Sequence, residues 1–151
     1  MNILIPLGLF LLLRKSGKRQ KWESPLIHTS VTSRYGNRIN PVTKEKEFHN
    51  GVDLVAPENS PVHAPLDATL TKVLTNDKGG LQAVLTHPNG YKSGYVHLNR
   101  VLFSEGSKLK RGEFFALSGN TGTLSTGAHL HFTVMDDNGK RVNPETLISF
   151  S

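Results

Sequence analysis

The sequence predicts an all-β protein: one domain built on a mostly antiparallel sheet with long loops. Three observations predict it. Short runs alternate apolar with polar residues at period two, the mark of half-buried strands. Asn-Gly and Pro-containing turn signals separate those runs. No window sustains a 3.6-residue period, so little helix is expected. The 151 residues suffice for one domain with a core and fall short of two of ordinary size.

Residues 3–13 are apolar throughout, interrupted only by Pro6 and Gly8, and Arg14, Lys15, Lys18, Arg19 and Lys21 follow at once. As a helix the apolar run would span roughly 16 Å, about half a hydrocarbon core. A secretory signal carries its positive charge before the apolar run and a small-residue cleavage site after it, whereas here the charges follow. That order would hold the basic end on the cytoplasmic side of a bilayer. Residues 1–23 are therefore expected to be a hydrophobic anchor or signal-like segment with a basic linker. Residues 3–21 would then touch a membrane, with the cations on anionic headgroups.

The tail also accounts for the charge. It holds five of the 18 basic residues, so the net charge of +6 belongs mostly to the tail and the rest is nearly neutral. A basic nucleic-acid-binding domain is excluded, and no nucleic-acid partner is expected. The absence of cysteine excludes disulfides and thiolate metal sites, leaving His, Asp and Glu as metal ligands.

From Ser24 the composition becomes that of a turn-rich domain, residues 24–151. Residues 31–40 read as loop with short extended pieces ending at Pro41, and the charge run 44–47 as a solvated loop. Phe48 to Val55 read as a loop running into a strand, because Gly51 and the β-branched Val52 and Val55 disfavour a helical turn. Ala56-Pro57 and Ala64-Pro65 punctuate extended segments. Residues 68–74 form a strand, and 81–86 and 91–98 form two more joined through His87-Pro88-Asn89-Gly90. A short strand at 113–117, a Gly- and Thr-rich loop at 118–127 and a strand at 130–135 follow. Asp137-Asn138-Gly139 is a further turn. The loop's Gly119-Asn120-Thr121-Gly122-Thr123 lacks the Gly-Lys-Ser/Thr ending of a phosphate-binding loop.

Chemistry concentrates at the last long strand. His129 and His131, two residues apart, project to one face about 6 to 7 Å from each other. That spacing suits one ring on a metal and the other on a ligand of that metal. His49 and Asp53 are a second element. With one imidazole of the 129/131 pair they make three protein ligands plus an open position, the arrangement of a catalytic zinc, whose water has a pKa near 7. His-Glu-x-x-His is absent, so another residue must take the proton, and histidine suits the task. His97 offers one on a strand. Tyr91 and Tyr95 share a face by period two and are candidate oxyanion donors.

These segments resemble the lysostaphin and LytM-type zinc peptidases, which cut peptide cross-links in bacterial cell walls. The resemblance runs from about Thr32 to Leu147. It rests on Ser33-Arg34-Tyr35-Gly36-Asn37-Arg38, Phe48-His49-Asn50-Gly51-Val52-Asp53-Leu54, Tyr95-Val96-His97-Leu98, Gly119-Asn120-Thr121-Gly122 and Ser125-Thr126-Gly127-Ala128-His129-Leu130-His131-Phe132, then Val142-Asn143-Pro144. It implies that His49, Asp53 and His131 bind one zinc ion, with His97 and His129 as the catalytic residues beside the zinc's water. It also implies a curved antiparallel sheet whose groove holds an extended peptidoglycan peptide. His28, His63 and His87 fall outside the motifs and are expected to be structural or exposed. The expected location is the cell envelope, membrane-tethered or exported, or else the membrane or shell of a phage virion. A non-catalytic wall-binding, regulatory or structural virion module on the same fold is the rival reading; the complete ligand set favours the enzyme.

Overall fold

The computed structural model describes residues 20–151, and the expected anchor and most of its basic linker lie outside them. Among the described residues twelve strands form, in chain order β1 (Val31–Ser33), β2 (Gly36–Ile39), β3 (Lys46–His49), β4 (Val52–Val55), β5 (Pro61–His63), β6 (Ala68–Asn76), β7 (Gly80–Thr86), β8 (Lys92–Val101), β9 (Lys108–Leu109), β10 (Phe114–Ser118), β11 (His129–Met135) and β12 (Arg141–Val142). Among the same residues the helical content is one 3-10 turn, Pro144–Thr146, capped by the Asn143 side chain.

The main sheet runs in the order β1, β4, β11, β8, β7, β6, β9, and every pairing is antiparallel. Strand β12 adds to β11, β10 pairs with β5 and β8, and β2 with β3 forms a separate hairpin. Such a sheet can bury one face and leave the other open, which the period-two pattern encodes. In β11, Leu130, Phe132 and Val134 point inward and are fully buried, while His129, His131 and Met135 are half-buried. The inward residues join Leu54, Leu85, Leu98 and Phe115 in one core. Fully burying a side chain such as Phe132 contributes about 1.5–3 kcal/mol. This core fixes β11 against β4 and β8, and so fixes the two histidines.

The five strands expected between residues 68 and 135 are β6, β7, β8, β10 and β11, with ends displaced by up to three residues. One expectation is corrected. Lys46 and Glu47 are not solvated loop but the start of β3, where Glu47 lies opposite Arg38 of β2 and accepts a hydrogen bond from its Nε at 2.8 Å. A hairpin held by a cross-strand ion pair carries no apolar alternation to betray it.

A second departure shapes the site. Leu81 faces Leu98 and Ala83 faces Tyr95, so two steps in β7 match three in β8. The extra residue makes a β-bulge at Val96-His97. His97 takes up the strain, with φ of 65°, at a cost of about 1–3 kcal/mol for a non-glycine residue. Strict period two would have put His97 and Tyr95 on one face. The bulge instead leaves Tyr95 in the core and turns the His97 ring toward His129.

Candidate metal centre

Three strands deliver the first three side chains. His49 ends β3, Asp53 lies in β4 and His131 in β11, with Asp53 and His131 directly opposed in the ladder. Gly51 permits the approach, because a Cβ there would lie 2.3 Å from the Phe132 carbonyl oxygen and 3.1 Å from His131 Cε1. His131 Nδ1 is 2.8 Å from Asp53 Oδ1 and 3.1 Å from His49 Nε2, and His49 Nε2 is 3.2 Å from the same Oδ1.

The outer ring nitrogens decide what this triangle is. His49 Nδ1 donates to the Arg34 carbonyl at 2.9 Å, and His131 Nε2 donates to Asn50 Oδ1 at 3.1 Å. With the protons held outside, His49 Nε2, His131 Nδ1 and Asp53 Oδ1 are three acceptors facing one another. A cation is the group that satisfies all three at once. Ligands about 2.0–2.1 Å from a tetrahedral ion stand roughly 3.3 Å apart, so the set fits zinc's size and its preference for nitrogen and oxygen.

Burial pushes the Asp53 carboxyl upward, but hydrogen bonding and positive charge from the His131 and His49 rings outweigh it and hold Asp53 well below the usual carboxylate range. Once both rings turn bare nitrogens inward, a bound cation would take over that part at Asp53. Its other oxygen, Oδ2, accepts from Arg38 at 2.9 Å, and Arg38 is itself held by Ser33 Oγ and Glu47. Hydrogen bonding from Asn40, opposed by slight burial and helped by Arg38, keeps Glu47 ionised below its ordinary value. Burial lowers the pKa of His131, partly offset by Asp53.

Two further imidazoles stand beside the triangle. The His97 and His129 ring centres are 4.8 Å apart, His97 is 6.4 Å from the His131 ring, and His129 Nε2 is 3.8 Å from Asp53 Oδ1. Each donates from Nδ1 to a backbone carbonyl at 2.7 Å, His97 to Thr121 and His129 to Gly127. Each therefore keeps Nε2 as a free proton-accepting atom. Burial lowers the His97 pKa, with the Thr121 carbonyl opposing it and His129 adding to it. All five candidate residues from the sequence thus line one cleft of about 350 Å³.

Sequence reasoning missed the supporting groups. Arg38 and Asn50 lay inside quoted motifs without an assigned role. The Gly-rich loop, set aside as no phosphate binder, presents the Thr121 carbonyl to His97. Its Gly122, at φ 90°, packs so closely that a Cβ would lie 2.4 Å from the Lys78 carbonyl oxygen. The tyrosine expectation is corrected. Tyr95 is fully buried, hydrogen-bonded to Ser93 Oγ at 2.8 Å and packed edge-on against Phe115, and burial pushes its phenol well above the usual range. Tyr91 packs against Trp22 at 6.0 Å, away from the cleft. His28, His63 and His87 stand outside the centre. His87 is buried, bonded to the Asp67 carbonyl and Ser93 Oγ.

Comparison with known proteins shows what the chain as a whole resembles. Residues 47–144 match the family described as Peptidase family M23. The chain is 44% identical over 112 residues to an uncharacterized metalloprotease of Haemophilus influenzae, covering 74% of this chain and 23% of that protein. It is 38% identical over 98 residues to the peptidoglycan DD-endopeptidase ShyA of Vibrio cholerae, covering 65% of this chain and 23% of ShyA. The chain thus spans about a quarter of the length of these curated relatives. Among solved structures, a zinc-containing peptidase from Vibrio cholerae superposes with a TM-score of 0.71 at 34% identity, over 82% of this chain and 39% of that one.

Proposed function

The chain belongs to peptidase family M23, and on that premise we propose that it is a zinc-dependent endopeptidase that hydrolyses peptide cross-links or bridges of bacterial peptidoglycan. The acceptor-only triangle of His49, Asp53 and His131 carries the reading. With the ring protons on the outer nitrogens, three facing acceptors repel unless a cation lies between them. The relatives named above as a metalloprotease and a peptidoglycan DD-endopeptidase support the reaction class and the substrate.

Zinc held by His49, Asp53 and His131 would supply Lewis acidity, acidifying a water and polarising a carbonyl. The chain's own residues supply proton handling. Nε2 of His97 and of His129 face the same cleft, and the carbonyls on Nδ1 hold both rings in the tautomer that accepts there. One such atom takes a proton as the amide is attacked, and a protonated ring returns it to the leaving amine nitrogen. A protonated ring also stabilises the oxyanion in place of the tyrosines. This reading sets the protein in the cell envelope, tethered by residues 3–21 or exported, with the virion as the alternative setting; intact mass of the mature protein tests the tether.

The pair His131→Ala and His97→Ala tests the assignment. The first is expected to lose bound zinc and peptidoglycan hydrolysis together. The second is expected to keep about one zinc per chain and lose about 10²–10⁴-fold in rate. Full hydrolysis by either variant would overturn it.

A further inference from the structure

The open face of the sheet continues past the metal centre as a trough of about 490 Å³ that contains cations and no carboxylate. Its ladder gives the layout. Beside His131 lies Val96. One level on, Thr133, Gly94, Val84 and Lys72 form a row across four strands. At the next level, Met135 is flanked by Arg141 of β12 and Lys92 of β8. Directly opposed residues share a face, so these rows lie roughly 7 and 13 Å from His131 along the strand.

Lys72, Lys92 and Arg141 make no ion pair among the described residues, whereas Arg38 and Arg34 both do. The floor between them is cut low. Gly94 has no side chain, and a Cβ there would meet Thr133 Oγ1 at 2.5 Å. The surface on the other side of the centre differs. Ile39, Pro41, Val55 and Ala128 line it, and its cation Arg38 is already held by Asp53 and Glu47.

We propose that this trough is a carboxylate-reading arm of the peptide groove, in which Lys72, Lys92 and Arg141 take an extended peptide bearing free carboxylates on one side only of the scissile bond. The inference rests on the peptidase reading above and adds the charge and position of the recognised groups. A strand advances about 3.3 Å per residue, so the paired cations Lys92 and Arg141 meet a carboxylate three to four residues from the bond that is cut. Lys72 lies in the nearer row but three strands across from β11, about 14 Å to the side at about 4.8 Å per strand, so it meets a carboxylate carried on a branch of the peptide. The neutral arm takes the other side of the peptide, which fixes its direction across the centre.

The test compares a cross-linked stem-peptide dimer, purified from bacterial wall with its carboxylates free, with the same dimer after amidation. The zinc-loaded full chain is expected to prefer the free acid by about tenfold in kcat/KM at low salt, mainly through KM, and to lose the preference as salt screens it. In Lys72→Gln/Lys92→Gln/Arg141→Gln the ratio is expected to fall to near one. A ratio near one in the unaltered chain, or one that survives in the triple variant, would overturn the proposal. Should neither dimer be cut, the peptidase reading fails on its own. Anisotropy of labelled dimers bound to the zinc-loaded chain then decides the arm, since tighter binding of the free acid supports it and equal binding refutes it.

Discussion

Asn50 is the side chain that holds His131 in its metal-facing orientation, and its removal makes a quantitative prediction. Asn50→Ala deletes the acceptor 3.1 Å from His131 Nε2. The ring is then free to rotate or to move its proton to Nδ1, the atom the triangle requires to be bare. The magnitude can be bounded from two sides. A hydrogen bond of this kind contributes about 0.5–1.5 kcal/mol net, and Asn50 is exposed, so water replaces part of it. Partners of metal-ligating imidazoles typically contribute 10–100-fold in metal affinity. The two ranges meet at about tenfold weaker zinc binding, roughly 1.4 kcal/mol. Competition against a chromophoric chelator at fixed pH reads this directly. Asn50→Asp keeps an acceptor and adds a negative charge, so it should bind zinc at least as tightly as the unaltered chain. Zinc affinity within twofold of the unaltered chain in Asn50→Ala would refute the role assigned to this side chain.

Other consequences follow from the same geometry. Gly51→Ala forces a Cβ against the Phe132 carbonyl, which should cost about 1–3 kcal/mol in urea unfolding and weaken zinc binding with it. Tyr95→Phe removes a buried hydroxyl bonded to Ser93, so it should cost about 1 kcal/mol of stability while leaving turnover unchanged, the opposite of what an oxyanion donor would do. Burial holds the His87 pKa below its ordinary value, so the unfolded chain takes up that proton first. Its contribution to stability is present above about pH 6.5 and is lost as pH falls below that. His87→Gln should therefore flatten the drop in unfolding free energy between neutral and mildly acid pH, measured against the unaltered chain under the same conditions.

The sequence carried the sheet wherever one face is buried. Strands β6, β7, β8 and β11 alternate because their inner residues enter the core, and the hairpin at Asn89-Gly90 announced itself by its turn chemistry. It did not carry β2 and β3, whose pairing is built on Arg38 and Glu47 rather than on burial. The five candidate site residues were legible as residues, and the structure brings them into one cleft. What was not legible was how they are aimed. His97 reaches the cleft through a one-residue bulge, which local pattern does not reveal and which misled the placing of Tyr95. The tautomers depend on the Arg34, Thr121 and Gly127 carbonyls, which carry no side-chain signature.

The central claim, metal-dependent hydrolysis of wall peptide, is tested most directly by the release of new amino groups from purified peptidoglycan by the zinc-loaded full chain, with and without a chelator. The account predicts release that stops with the chelator and returns when zinc is restored. Release indifferent to the chelator, or none from several wall types by folded, zinc-loaded protein, would contradict it.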